Sequence, residues 1–173
     1  MTIIDLLKNR SVTYKFSEEK LGDETIIDLI DSARYAPNPT GIYEYEIIIV
    51  MDDEEKREIS KTCLVPNIDS APVIFVIVCD ETKIKNVFEE NADEICIDNA
   101  ALAAHSLVMR AQELGLGSAM ITNINQEEMK ELLNIPKNYI VRWVIPVGHS
   151  DETAKSYKPS PPKAGDIVHL DRF

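Results

Sequence analysis

Apolar residues recur along this chain in two periods, and those periods assign its elements. Val73 to Val78 is an unbroken apolar run led in by Ala71-Pro72. A run of that kind, rich in β-branched residues, predicts a central strand covered on both faces. Glu46 to Val50 carries four β-branched residues in a row and reads as a second strand. Tyr139 to Val147 reads as a long strand, in which Pro146 suggests a sheet edge or a bulge. Helical spacing places Ile26, Ile27, Leu29, Ile30 and Ala33 on one face of a helix that starts near Asp23. It must end near Ala36, before Pro37. Thr2-Ile3-Ile4-Asp5 reads as a capping box opening a short helix through Leu7. Asp52-Asp53 caps an exposed charged helix over Glu54 to Thr62, and Lys83 to Phe88 is a further short segment. After Asn125, Met129, Leu132 and Leu133 mark the buried face of a helix that Pro136 ends.

The longest patterned stretch is Asp98 to Thr122. Ala100, Ala101, Leu102, Ala103, Ala104, Leu107, Val108, Met109, Ala111 and Leu114 make a helix apolar over most of its surface. That is the signature of a buried helix. Its small residues let another backbone come close. Gly115 suits the left-handed position that ends helices. After it, Ala119-Met120-Ile121 reads as a buried strand. From Gly148 the chain is polar, rich in Pro and Lys, and ends in Ile167-Val168-His169 before the last residues. Residues 149–173 hold too little apolar content to fold alone, so they are expected to wrap over the body or a partner subunit. No repeat or linker divides residues 1–173, which read as one α+β domain of four or five strands and about five helices.

Composition narrows the class. The chain has 173 residues, 45% hydrophobic and 28% charged, as a soluble globular domain does. No apolar run approaches the ~20 residues that cross a membrane. The first residues have no basic region, so no signal peptide is expected. The net charge of −12 repels polyphosphates, which sets nucleic acid and anionic membranes aside. Cys63, Cys79 and Cys96 are an odd set without CxxC spacing and read as buried thiols in a reducing cytoplasm.

Most short motifs fail on context. Gly115-Leu116-Gly117 follows a helix, whereas a dinucleotide fingerprint follows a strand. The chain has no GxxxxGK[ST], no GxSxG and no HExxH. His105, His149 and His169 are scattered, and His105 reads as a core or interface histidine. Against an acidic background, Asn9 to Phe16 stands out. Arg10, Ser11, Thr13 and Lys15 offer a guanidinium, two hydroxyls and an ammonium. That donor set suits a phosphate, Arg binding it in bidentate fashion; it also suits an ordinary exposed loop.

Taken in order, these segments resemble the FMN-dependent nitroreductase family. The first loop is similar to its Arg-Arg-Ser-x-Arg-x-Phe segment. Ala33-Arg34-Tyr35-Ala36-Pro37-Asn38 is similar to its Ala-Arg-x-Ala-Pro-Ser segment. Ala71-Pro72-Val73, Asp98 to Ser118, Leu132 to Pro136, Val141 to Gly148 and Val168 to Phe173 follow in the family's order. The resemblance implies a three-layer α/β/α fold with a central mixed, mostly antiparallel sheet. It implies a homodimer with FMN at the subunit interface. It also implies ping-pong hydride transfer through flavin N5, from NAD(P)H to a nitro compound, a quinone or a related small acceptor.

Residue by residue, the resemblance assigns the FMN phosphate to Arg10 and Ser11. Thr13 stands where an arginine is usual, so Lys15 is a candidate for that charge. The family's Asn and Gln-Pro-Trp positions read Gly41 and Tyr43-Glu44-Tyr45. The pyrimidine edge would then fall to backbone groups of Pro37, Asn38 and Gly41. Ile121, Thr122 and Asn123 would approach the N5 edge, and Lys155, Lys158 or Lys163 would supply the tail's phosphate contact. No catalytic side chain is required, because the flavin carries the chemistry. The lost amide positions leave a second expectation open, a relative of the same fold that binds a flavin or another ligand without turnover.

Overall fold

The computed structural model describes every residue except Met1, Glu89, Glu90, Glu152, Ala154, Lys155, Ser156 and Phe173. Six helices are described: α1 (Ile3–Asn9), α2 (Asp23–Arg34), α3 (Asp53–Thr62), α4 (Thr82–Phe88), α5 (Ala92–Glu113) and α6 (Gln126–Leu132). The strands are β1 (Tyr45–Val50), β2 (Val73–Asp80), β3 (Gly117–Ser118) and β4 (Tyr139–Gly148). They form one sheet in the order β1-β2-β4-β3.

The unbroken apolar run became β2, buried along its whole length. Its side chains alternate between two cores. Val73, Phe75, Ile77 and Cys79 face one side, with Leu29 and Ala33 of α2 and the buried stripe of α5. Ile74, Val76 and Val78 face the other, with Ile59 of α3 and Met129 of α6. Helices therefore cover both faces of the sheet, which gives the three-layer α/β/α arrangement. All pairings between the named strands are antiparallel. Among the described residues the parallel element is a single bridge, Val12 to Ser118.

The sequence patterns held for most elements. Thr2 and Asp5 make both halves of the capping box on α1. Asp52 caps α3 by accepting from the backbone N–H groups of Glu54 and Glu55. α2 stops at Arg34, two residues before the expected end, and Tyr35 forms its C-cap. Gly115 takes a left-handed φ of 76°. α5 is longer than expected and begins at Ala92. Its extra turns carry Asp93 and Glu94, whose charges suit a helix N-terminus. Ala92 and Cys96 extend the buried stripe of Ala100, Ala103, Ala104, Leu107, Val108 and Ala111. The helix buries one stripe rather than most of its surface.

Pro146 corrects two expectations together. It lies in β4, between β2 and β3, and not at a sheet edge. Gly117 pairs with Gly148, Ser118 with Val147, and Ile121 with Val144, all in one register. Ile121 and Val144 exchange both backbone hydrogen bonds, at 3.0 Å each. Pro146 therefore aims its missing N–H at Ala119, where the ladder would otherwise continue. The expected strand over Ala119–Ile121 is cut there, and only the bridge at Ile121 survives. The bulge falls at Arg142, since Ile77 pairs with Trp143 and Val78 with Val141.

Phe75 is fully buried at the centre of this arrangement. Phe75→Ala should lower unfolding free energy by about 3–5 kcal/mol, read from urea unfolding followed by far-UV circular dichroism.

Candidate flavin site

Residues 10–16 leave α1 through Arg10, its C-cap, and run beside the short strand β3. The Thr13 N–H donates to the Ser118 carbonyl at 3.0 Å. On the other side, Val12 pairs with Tyr157, with N–H···O distances of 3.0 and 3.3 Å. Thr13 is buried, and its hydroxyl lies 3.1 Å from the Ser150 hydroxyl. This approach requires a glycine underneath. A Cβ on Gly117 would lie 2.4 Å from Ser150 Oγ and 2.9 Å from Thr13 Oγ1.

Lys15 Nζ lies 3.2 Å from an Asp151 carboxylate oxygen and donates to Thr153 Oγ1 at 3.0 Å. Asp151 is held below the usual carboxylate range, first by its bonds from Thr153 and then by Lys15. His149, Ser150, Asp151, Thr153 and Tyr157 are thus tied to their own chain's loop. Arg10 and Ser11 are half-buried. Among the described residues, no carboxylate lies within ion-pair distance of Arg10. Lys158 and Lys163 are exposed further along the tail, and Lys155 lies outside the described residues.

β3 leads from this loop to Ile121, Thr122 and Asn123. Ile121 is buried against Val144, while Thr122 and Asn123 are exposed. Next along β4, the bulge presents Arg142 and Trp143. Arg142 Nε and Trp143 Nε1 are buried donors without a partner among the described residues. Buried donors of this kind are costly unless something accepts from them. Sequence reasoning missed both residues, because a bulge leaves no mark in the apolar pattern.

Pro37, Asn38 and Gly41 sit in a tight turn after α2. Asn38 Oδ1 accepts from the Thr40 N–H at 3.2 Å, the Thr40 hydroxyl at 2.8 Å and the Gly41 N–H at 3.0 Å. Its Nδ2 donates to the Ile42 carbonyl at 2.8 Å. The donors of Gly41 and of the Asn38 side chain are therefore engaged within the turn. Sequence reasoning also missed Asn99 of α5, which donates to Glu44 Oε1 at 2.6 Å. Among the described residues, no hydrogen bond or ion pair joins this turn to Arg10. From Asn99 to Glu113, at the end nearer β3, α5 runs about 21 Å.

His105 is exposed on α5, so its place is not the core. Cys63, Cys79 and Cys96 are free and buried, as expected. Burial pushes the Cys63 thiol up to about 12. Burial also raises Cys79, and it pushes Cys96 up to about 12 with help from the Glu44 charge. Among the described residues no group of His, Cys, Asp and Glu could hold a metal ion.

The layers, loop, strand and turn described above define a three-layer α/β/α domain with a donor-bearing loop beside its shortest strand. A sequence model of the nitroreductase family matches residues 7–65 and 56–149, and the chain belongs to that family. An FMN reductase (NADPH) from Bacillus subtilis is 29% identical over 177 aligned positions, covering 94% of this chain and 70% of that protein. An iodotyrosine deiodinase from Thermotoga neapolitana is 24% identical over 197 positions, covering 99% and 98%. The solved structure of an FMN-dependent nitroreductase from Clostridium difficile R20291 superposes with a TM-score of 0.82 at 29% identity, covering 98% and 99% of the two chains.

The thiol environments have a direct consequence. Thiolate is the reactive form, and a raised pKa removes it at neutral pH. Iodoacetamide at pH 8 should leave all three cysteines unmodified in the native protein and alkylate all three in 8 M urea (about the upper working range of that denaturant), counted by intact mass.

Proposed function

We propose that this protein is an FMN-dependent NAD(P)H oxidoreductase that reduces a small acceptor by a ping-pong sequence. The observation that carries the reading is Arg10. In a chain of net charge −12, a half-buried guanidinium without a carboxylate partner among the described residues is suited to an anion. Arg10 and Ser11 would hold the FMN phosphate. Arg142 Nε and Trp143 Nε1 are buried on the sheet face opposite Ile121, so the fit to the group rests on the Arg10 loop. The residues present therefore fit the group. Held by Arg10 and Ser11, FMN would supply the two-electron redox chemistry between NAD(P)H and the acceptor.

The chain's own residues bind, orient and exclude water. Thr13, Gly117 and Ser150 form a closed joint that fixes the loop against β3 and the tail. Lys15 is spent on Asp151 and Thr153, so it braces that joint, and Arg10 is the loop's charge for the phosphate. The acceptor is a nitro compound, a quinone or a related small molecule. A homodimer is the assembly this reading expects, with the 37–43 turn of one copy and the Arg10 loop of the other lining one flavin site. The engaged donors of Asn38 and Gly41 support a second reading, a flavin- or ligand-binding relative without turnover.

Two measurements test this function. The purified protein, incubated with FMN, should show a bound-flavin absorption spectrum and oxidise NADH or NADPH in the presence of a quinone or nitroaromatic compound. A colourless protein that gains no FMN and oxidises neither nucleotide would sink the proposal. FMN uptake without nucleotide oxidation would select the second reading. Arg10→Ala should weaken FMN binding by about 1.5–3 kcal/mol, the scale of a charged hydrogen bond, measured by quenching of flavin fluorescence. Unchanged affinity would remove Arg10 from the phosphate site.

A further inference from the structure

Glu44 lies where the turn after α2 enters β1, and it is fully buried. Its carbonyl accepts from the Asp80 N–H at 2.8 Å, which ties it to the end of β2. Its side chain reaches into the α5 face of the sheet. Oε1 accepts from Asn99 Nδ2 at 2.6 Å, and Oε2 has no partner among the described residues. Asn99 is 2% exposed on the buried stripe of α5. The same Nδ2 lies 3.4 Å from Asn38 Oδ1 and 3.5 Å from Thr40 Oγ1. One amide therefore joins a helix, a strand entrance and the Asn38–Gly41 turn.

This arrangement is a poor way to gain stability. A buried carboxylate with one unfilled oxygen carries a desolvation cost that an apolar side chain of similar volume would not. Its return is geometric. The bond is short and directional, and α5 carries the longest buried stripe among the described helices. The turn it holds has exhausted the donors of Gly41 and of the Asn38 side chain internally. Such a turn meets a ligand through its placement and shape, since it has few donors left to adjust with.

We propose that Asn99, acting through Glu44 and Asn38, is the positioning residue that presets the 37–43 turn against the flavin ring. The inference rests on the FMN reading above. Asn99 touches no cofactor; it fixes the segment that does. The pair also suits a swap. Asn99→Asp sets two carboxyl groups against each other, and adding Glu44→Gln restores one donor and one acceptor with the roles exchanged.

The test uses full-length wild type, Asn99→Asp, and the Asn99→Asp/Glu44→Gln double variant. Each is titrated with FMN by fluorescence quenching, with visible circular dichroism of the bound flavin and thermal melting of the apoprotein. Asn99→Asp should bind FMN roughly tenfold more weakly and change the visible dichroism, the scale of one charged hydrogen bond. The double variant should recover both within about threefold of wild type, since the pair is again satisfied. Melting shifts with unchanged FMN affinity and dichroism would reduce Asn99 to a structural role and overturn the proposal. If Asn99→Asp does not fold, Thr40→Val decides. It removes the hydroxyl from the turn, and it should weaken FMN binding by about threefold or more, the loss of a neutral hydrogen bond. Unchanged affinity there overturns the proposal. Wild type that binds no FMN would instead defeat the functional reading itself, whereas wild-type binding with indifferent variants defeats this inference alone.

Discussion

β2 is the constraint on which the rest of the structure depends. A strand buried on both faces must have a helix layer on each side, or half its side chains meet water. Its alternation between Val73, Phe75, Ile77 and Cys79 on one side and Ile74, Val76 and Val78 on the other sets which helices go where. α5 and α2 take the first face and α3 and α6 the second. α5 lies close to the sheet because its buried stripe is mostly alanine. With α5 fixed, so are its two ends. Its C-terminal end delivers β3 to the Arg10 loop, and Asn99, about two turns in from its start, faces the turn after α2.

The fold was readable in the sequence wherever a single period ran uninterrupted. β2, α2, the capped starts of α1 and α3, and the glycine end of α5 came from local signals, and local physics produced them. The misses share a cause. The start of α5 was hidden by acidic residues that look like a solvated loop but sit well in a first helical turn. The split of the strand after Gly117 was hidden because the residue that cuts it, Pro146, is in the other strand. The bulge at Arg142 exists only as a mismatch between β2 and β4. Each is a relation between two segments, and an apolar pattern records one segment at a time.

The candidate site divides along the same line. Arg10 and Ser11 were visible as donors against an acidic background, and the structure leaves Arg10 without a carboxylate among the described residues. Lys15 and Thr13 carried the same chemical promise. Asp151 and Ser150 engage them, and those residues lie more than a hundred positions later. Arg142, Trp143, Glu44 and Asn99 gave no signal at all. Their importance comes from burial without a partner or from one amide shared among three segments, and neither is written locally.

The polar pair at Glu44 and Asn99 shows how such a site is built on this scaffold. A turn rich in Pro and Gly has several accessible shapes, and fixing one of them costs conformational entropy. Internal bonds of Asn38 define the turn's shape but not its position relative to the sheet. Position must come from a contact to a rigid element beyond its own flanks, and α5 supplies one through Asn99. An apolar contact would hold the turn loosely, because dispersion has little directional preference. A charged hydrogen bond from a buried amide has one good geometry. The same logic explains Gly117, where a missing Cβ lets Thr13 and Ser150 close on β3. Within α5 at Asn99 and just past its C-terminus at Gly117, then, a local exception to an apolar core fixes a neighbouring segment to the rigid body.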